Sequence, residues 1–316
     1  MFLKGVFKDS GGVVQFILFI GIVIVGAVAG SMAAAVFIAF KTGFNIEIIN
    51  EILAHLADYP VYMREIQFLT QLGAFIFPAL LIAYLFSENY KEYLYLDTPF
   101  NGSTVFWTIL SMIFVLPFLN LIAHLNQQMV LPDFLKGVEE YMKSMEETNT
   151  QLIESMLRAE SIGAIIFNIL IVAVFAAIGE EFLFRGALQR IFGQMIRNKH
   201  VIIWSAAFLF SFIHFQFYGF VPRLLLGAYF GYLLDYTKNL WIPILAHFTN
   251  NFLGVVIFTI YQDDSQQVEA IDALGYGSTW WLSVLSLVLF AYAFGRIRRQ
   301  KITAPYTPSA SPHKAP

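Results

Sequence analysis

Long runs of apolar residues, separated by short polar stretches, dominate the pattern of this chain. A helix needs about 20 mostly apolar residues to cross the hydrocarbon core of a bilayer, and eight segments approach or exceed that length. The pattern therefore predicts an all-α fold, a polytopic membrane bundle of about eight transmembrane helices. The predicted spans are 13–40, 66–87, 104–125, 161–184, 200–217, 219–236, 239–260 and 279–295.

The first span follows the segment MFLKGVFKDSGG and is longer than the apolar core of a signal peptide. It has no convincing small-residue cleavage site, so we expect a retained anchor. Gly26, Gly30 and Ala34 recur every four residues, which suits close packing of one helix on another. Incidental glycines on a lipid-facing helix are the alternative.

Composition agrees with the pattern. The chain is 58% hydrophobic and 13% charged, with a mean hydropathy of +0.66, which excludes an ordinary soluble domain. It contains no cysteine, so disulfides, cysteine-ligated zinc and thiol nucleophiles are excluded. Its basic residues form no stripe with interleaved aromatics, so we expect the lipid bilayer as a partner and no nucleic acid.

The distribution of cations predicts the orientation. Eight spans place both termini on one side, and cytoplasmic loops carry the excess of Lys and Arg. The side that carries the termini has more Lys and Arg residues, so we expect it to be cytoplasmic. Its cations are Lys4, Lys8, Lys91, Arg190, Arg197, Lys199, Lys238, Arg296, Arg298, Arg299 and Lys301. The other side has acidic stretches and fewer cations, namely Lys41, Arg64, Lys136, Lys143, Arg158 and Arg223.

Two segments lie outside the predicted spans. The first segment is residues 130–158, at the end of the N-terminal region 1–158. Its apolar residues recur at helical spacing: Phe134, Val138, Tyr141, Met142 and Met145. This pattern predicts an amphipathic helix outside the bilayer, either a lid or interfacial helix or a plain solvated one. The tail 301–316 is rich in proline and serine and is expected to be disordered.

The first cluster of polar residues interrupts the fourth apolar run. Glu181 and Arg185 are four residues apart, the spacing at which opposite charges meet on a helix, so they predict a buried ion pair. Glu180 lies about 100° away around the helix and has no local cation. Because desolvation raises the pKa of such a carboxyl group, Glu180 is the candidate general base. A structural Glu and Arg network is the alternative for the pair.

The second cluster places Phe210 four residues before His214, where the two rings share a helix face. A lone histidine in an apolar helix is often a core residue. However, a turn near residues 197–199 would put Glu180 and His214 at the same height on neighbouring antiparallel helices. The two side chains could then bind and polarise one water molecule for hydrolysis.

The third cluster places His247 and Asn251 four residues apart on one face, with Asn250 turned away. Both side chains offer hydrogen-bond donors, which can stabilise the oxyanion of a tetrahedral intermediate. Polar contacts between helices are the alternative role.

Together, EExxxR at Glu180 to Arg185, FxxxH at Phe210 to His214 and HxxxN at His247 to Asn251 resemble the three ordered motifs of the CAAX protease and bacteriocin-processing family. The resemblance covers about residues 160–262. It implies a core at 159–262 with a catalytic cavity inside the membrane bundle, followed by a last span within 263–300.

The family resemblance also implies roles for the motif residues. Glu180 and His214 would activate the attacking water, His247 and Asn251 would stabilise the oxyanion, and Glu181 with Arg185 would support them. The implied activity is a peptidase of the type II CAAX prenyl endopeptidase kind, acting on a membrane-associated or lipidated peptide or protein. We expect it in a bacterial plasma membrane.

Metal dependence stays open from the sequence. Many members of the family are described as metalloproteases, and Glu180, His214 and His247 offer ligands that zinc accepts. The chain lacks HExxH, the local zinc signature, so a water activated by glutamate alone is at least as well supported.

Two functions of other classes compete with proteolysis. A non-catalytic scaffold or immunity factor would act through helix contacts, which the complete polar set disfavours. A proton-coupled transporter would use buried Glu and His residues as a relay, but the sequence shows no paired inverted halves.

Overall fold

The computed structural model describes residues 3–300, and these residues form helices joined by turns, without a strand. The all-α prediction is confirmed. The predicted disordered tail, 301–316, lies outside the described residues.

The helices are numbered here in chain order. The N-terminal half contains α1 (Gly12–Lys41), α2 (Ile46–Ala54), α3 (Pro60–Phe86), α4 (Gly102–Gln127) and α5 (Lys136–Leu157). The C-terminal half contains α6 (Ile162–Met195), α7 (Lys199–Phe212), α8 (Phe220–Thr237), α9 (Trp241–Tyr261), α10 (Ser265–Asp272) and α11 (Trp280–Arg298). A short turn of helix, Tyr90–Tyr93, precedes α4.

Six segments of the described chain are long and apolar enough to cross a bilayer. They are Gly12–Lys41, Pro60–Phe86, Gly102–Gln127, Ile162–Met195, Trp241–Tyr261 and Gln266–Arg298. This is the composition of an integral membrane protein. The last segment includes α10 and a turn at residues 273–276, so its continuous apolar helix is α11.

The predicted spans 200–217 and 219–236 correspond to α7 and α8, which form an antiparallel hairpin. Helix α7 has only 14 residues, and α8 carries Arg223 and Asp235. The count of eight spans therefore stays a prediction.

Contacts at its two ends show that the α7–α8 hairpin extends along α4. At its tip, the amide of Asn126, at the end of α4, donates to the carbonyl of Phe217 over 2.8 Å. At its base, the amide of Asn239 donates to the carbonyl of Thr98, just before α4 begins.

Helices α1 and α3 approach each other closely at glycines, as the spacing of Gly26 and Gly30 predicted. A Cβ on Gly73 would lie 2.5 Å from the Cα of Gly30 and 2.6 Å from the carbonyl of Gly26. Ala34 is buried on the same face. The glycines are therefore required by the helix contact and are not incidental.

The predicted amphipathic segment is helical, as α5. Its predicted apolar face divides, however: Phe134 and Tyr141 are exposed, whereas Met142 and Met145 are half-buried.

The predicted loop cation Arg64 is instead buried inside the protein, where it holds the C-terminal end of α5. Its Nε donates to the Met156 carbonyl over 3.0 Å and to Asn168 Oδ1 over 2.8 Å. Its Nη2 donates to the carbonyl of Arg158 over 2.6 Å. The charge of Arg64 therefore does not count toward the orientation.

Helix α6 is longer than the predicted span 161–184 and contains two π-helical segments. They are Ile169–Phe175 and Phe182–Leu188, on either side of the α-helical stretch Ala176–Glu181. Such segments are rare in proteins, and those that occur are often found at functional sites. They flank the two carboxylates, and α6 contacts α3, α7, α8 and α9 around them.

Candidate active site

Glu181 is the centre of a fully buried polar unit. Its Oε1 accepts from Arg185 Nη1 over 2.9 Å and from His247 Nδ1 over 2.9 Å. Arg185 Nη2 donates to the carbonyl of Gly227 over 2.9 Å. The ion pair predicted from the i, i+4 spacing is therefore present, and it joins α6 to α8 and α9.

Aromatic rings enclose this unit. The guanidinium carbon of Arg185 lies 4.3 Å from the ring centre of Phe210 and 5.4 Å from that of Phe230. His247 stacks on Phe230 with ring centres 5.1 Å apart. The rings favour the cation of Arg185 and fix the imidazole of His247 in one orientation.

Glu180 faces both histidines of the motifs. Its Oε2 lies 3.9 Å from His214 Nε2 and 3.8 Å from His247 Nε2. Glu180 and His247 are buried, whereas 26% of the His214 side chain is exposed. The structure thus places Glu180 and His214 together, as the antiparallel register predicted, and adds His247.

The hydrogen bond made by Nδ1 of each imidazole determines whether Nε2 is a donor or an acceptor. His214 Nδ1 donates to the Phe210 carbonyl over 2.7 Å, and His247 Nδ1 donates to Glu181. In the neutral imidazoles both Nε2 atoms therefore present lone pairs toward Glu180. Three acceptor atoms converge, so a proton or a water molecule between them is favoured.

The loop at the hairpin tip positions His214. The next residue, Phe215, has a left-handed backbone with φ of 52°, which is costly for a residue with a side chain. Ser211 Oγ donates to the Phe220 carbonyl over 2.7 Å, and Asn126 holds Phe217. These contacts sustain the strained turn and keep the imidazole facing α6.

Asn251 lies on the same helix as His247 but makes a separate contact, in which its Nδ2 donates to the Val172 carbonyl over 2.9 Å. Asn250, which helix spacing places off the stripe of His247 and Asn251, donates from its Nδ2 to Asn251 Oδ1 over 3.1 Å. Both amides line a mostly apolar cavity of about 520 Å³, between α4, α9 and α10. One N–H of each amide group is left for another acceptor.

The three converging side chains do not fit a zinc ion as placed. Two ligands of a tetrahedral zinc lie about 3.4 Å apart, less than the 3.8 and 3.9 Å seen here. Among residues 3–300, no group of three potential ligands is arranged to hold a metal. We therefore derive no step through a metal.

The sequence reasoning missed Arg223. The predicted span 219–236 contains this residue near its start, where it was counted only as a cation of the non-cytoplasmic side. In the structure it lies in the first turn of α8. Its position four residues before Gly227 and eight before Gly231 puts it on the face of α8 whose glycines lie against α7 and, at Gly231, also against Gln189 of α6. That spacing is the signal that could have identified it.

Comparison with known proteins supports the resemblance over the motif-bearing region. Residues 162–253, less than a third of the chain, match the family model described as Type II CAAX prenyl endopeptidase Rce1-like. This confirms the family resemblance inferred from the three motifs.

A curated relative matches a similar portion of the chain. The chain is 33% identical over 85 residues to the uncharacterized protein YpbD of Bacillus subtilis (strain 168), which is 26% of this chain and 40% of that protein. The match thus spans less than half of the relative's length. No solved structure matches the chain significantly.

Proposed function

We propose that this protein is an intramembrane endopeptidase that hydrolyses a peptide bond in a membrane-associated or lipidated substrate. The observation that carries the proposal is the convergence of Glu180 Oε2 and His214 Nε2, 3.9 Å apart, inside the region that matches the peptidase family.

The gap between Glu180 and His214 suits the attacking water. A water molecule can lie about 2.8 Å from both atoms and donate one proton to each acceptor. Glu180 removes a proton as the water oxygen bonds to the scissile carbonyl carbon. The same carboxyl group then gives this proton to the leaving amine, and the C–N bond breaks.

The developing oxyanion needs hydrogen-bond donors. His247 Nδ1 already donates to Glu181, so Nε2 donates to the oxyanion when the ring carries a proton on both nitrogens. Asn251 supplies an amide N–H beside it. Glu181 and Arg185 do not face the substrate, so we assign them to orienting His247.

The test is cleavage of a peptide library, including lipidated peptides, by the purified protein in liposomes. Wild type is compared with Glu180→Ala and His214→Ala. We expect each substitution to lower the rate by about a hundredfold or more, because each removes a group that handles the proton. His200→Ala is the matched control, since His200 is exposed and bonds Tyr232 far from Glu180.

Three further results would change the proposal. Equal cleavage by wild type and both variants would exclude Glu180 and His214 as the catalytic pair. Activity lost with a chelator and restored by zinc would require a metal mechanism. Proton flux in the liposomes that survives Glu180→Asp, without cleavage by wild type, would favour the transporter, because a relay tolerates the shorter carboxylate better than a positioned base.

A further inference from the structure

Arg223 is a second cation at the site, and unlike Arg185 it is incompletely paired. Its Nη2 donates to Gln216 Oε1 over 2.6 Å. Its Nη1 is buried and has no hydrogen-bond partner among the described residues, and no described carboxylate lies within 4.0 Å of the guanidinium. A buried, unbonded N–H of a charged group is costly unless a ligand supplies the acceptor.

The register of α6 and α8 places Arg223 beside the proposed catalytic residues. Arg185 bonds the carbonyl of Gly227, and Gln189, one turn later, bonds the carbonyl of Gly231. The two helices run parallel in this register. One turn before Arg185 and Gly227, it places Arg223 at the same height as Glu180 and Glu181. The guanidinium lies within electrostatic reach of Glu180.

A second acidic residue, on α5, lies near Arg223. Glu146 of α5 lies within electrostatic reach of the guanidinium, yet its own Oε2 is buried without a partner among the described residues. Burial raises the pKa of the Glu146 carboxyl group, against the opposite effects of the Tyr218 backbone N–H and of Arg223. Glu146 Oε2 and Arg223 Nη1 are not bonded to each other, so Glu146 does not satisfy the arginine.

We infer that Arg223 is a specificity-determining residue that binds a carboxylate of the substrate, and so places a nearby peptide bond over Glu180 and His214. The inference rests on the proposed peptidase function. The free Nη1 and the planar guanidinium suit a carboxylate better than a neutral group. The carboxylate is either the free C-terminus of a peptide or an acidic side chain close to the cleavage site.

The closing experiment uses a peptide that wild type cleaves in the library, prepared with a C-terminal acid and with a C-terminal amide. A second pair carries Asp or Asn near the cleavage site. We expect one carboxylate form to be cleaved about 10- to 100-fold more efficiently than its neutral counterpart. The pair that shows this preference identifies which carboxylate binds.

Arg223→Gln should remove the preference for the carboxylate form, because KM for that form should rise more than KM for the neutral form. Arg223→Lys should keep part of the preference for the carboxylate form. Gln216→Ala is the matched control, because it removes the only bond of the guanidinium in the described residues but keeps the charge. If Gln216→Ala abolishes the preference as fully as Arg223→Gln, Arg223 acts by holding the loop and the inference is wrong.

A binding measurement separates this inference from the proposed function. The melting temperatures of wild type and Arg223→Gln are measured with a pool of short apolar peptides, as acids and as amides. Acids should stabilise wild type more than amides do, and Arg223→Gln should show no difference. If acids and amides stabilise wild type equally, the inference fails even where cleavage depends on Glu180; if the difference is seen without such cleavage, the peptidase proposal fails and the carboxylate site stands.

Discussion

Glu181 shows how one buried carboxylate can organise a site without facing the substrate. Its side chain is 0% exposed, and one oxygen accepts from both Arg185 and His247. Burying an ion pair costs desolvation energy, which only good geometry and further hydrogen bonds offset. Here the further bonds reach Gly227 on α8 and His247 on α9, so the pair holds three helices together.

Removing one partner of this ion pair should therefore destabilise the protein strongly. For Arg185→Met we expect a loss of about 3–5 kcal/mol in the free energy of unfolding, because the Glu181 charge would stay buried and uncompensated. Denaturant unfolding in detergent measures it. Glu88→Gln is the control, since the Lys8–Glu88 pair is exposed and should contribute little; equal effects of the two substitutions would contradict the role of the buried pair.

Glu180→Gln should have the opposite effect on stability and still abolish cleavage. The carboxylate faces two Nε2 lone pairs at 3.8 and 3.9 Å, and the glutamine amide would offer an N–H donor in its place while removing a buried charge. We expect an unchanged or raised melting temperature and a loss of the general base. A lower melting temperature together with retained cleavage would defeat this prediction.

Glycines allow two helices to approach each other closely, because they have no side chain between the backbones. Gly73 lies in the π-helical turn Leu72–Ile76 of α3, and its Cα faces the Gly26 and Gly30 backbone of α1. The first helix is thereby fixed on the bundle by backbone contact, although most of its surface is apolar and faces outward.

Gly73→Ala should force α1 and α3 apart, because its Cβ would lie 2.5 Å from backbone atoms that cannot rotate away. We expect a loss of about 1–3 kcal/mol, as for other overpacked contacts, measured as a lower thermal midpoint in detergent. Gly21→Ala is the matched control on α1, since nothing lies within 4 Å of the added carbon. Equal midpoints for the two variants would show that the close contact does not stabilise the bundle.

The whole bundle has an orientation that the cation distribution predicts, with both termini in the cytoplasm. The absence of cysteine makes this testable with single-cysteine variants on an otherwise unreactive chain. Tyr141 is exposed on α5, and Lys8 precedes α1. In intact cells, an impermeant maleimide should label Tyr141→Cys, whereas Lys8→Cys should react only after permeabilisation. The reverse pattern would invert the orientation.

Much of the architecture was predictable because its causes are local. Apolar runs of helical length predict spanning helices wherever they occur, and the four-residue spacings brought together Glu181 with Arg185 and Phe210 with His214. The proximity of Glu180 and His214 also followed, because an antiparallel pair with a short turn has only one register.

Other features depended on contacts between residues distant in the sequence. The hydrogen bond from His247 to Glu181 joins residues 66 positions apart, and it determines which nitrogen of the imidazole faces Glu180. Helix periodicity does not fix side-chain rotation, so it gave no indication that Asn250 donates to Asn251. Arg64 is a loop cation by its sequence position, yet the fold buries it. Arg223 lies near the start of the predicted span 219–236, and the fold brings its guanidinium within electrostatic reach of Glu180.

The sequence by itself determined that this is an all-α membrane protein whose polar motif residues lie in neighbouring helices, since burial in lipid and helical spacing are properties of each segment. Only the tertiary structure decided how α5 and the α7–α8 hairpin approach the site, and which donors and acceptors remain free there. The reason is physical: a hydrogen bond or a charge interaction depends on distances of a few ångströms between segments, and packing of the complete bundle sets those distances.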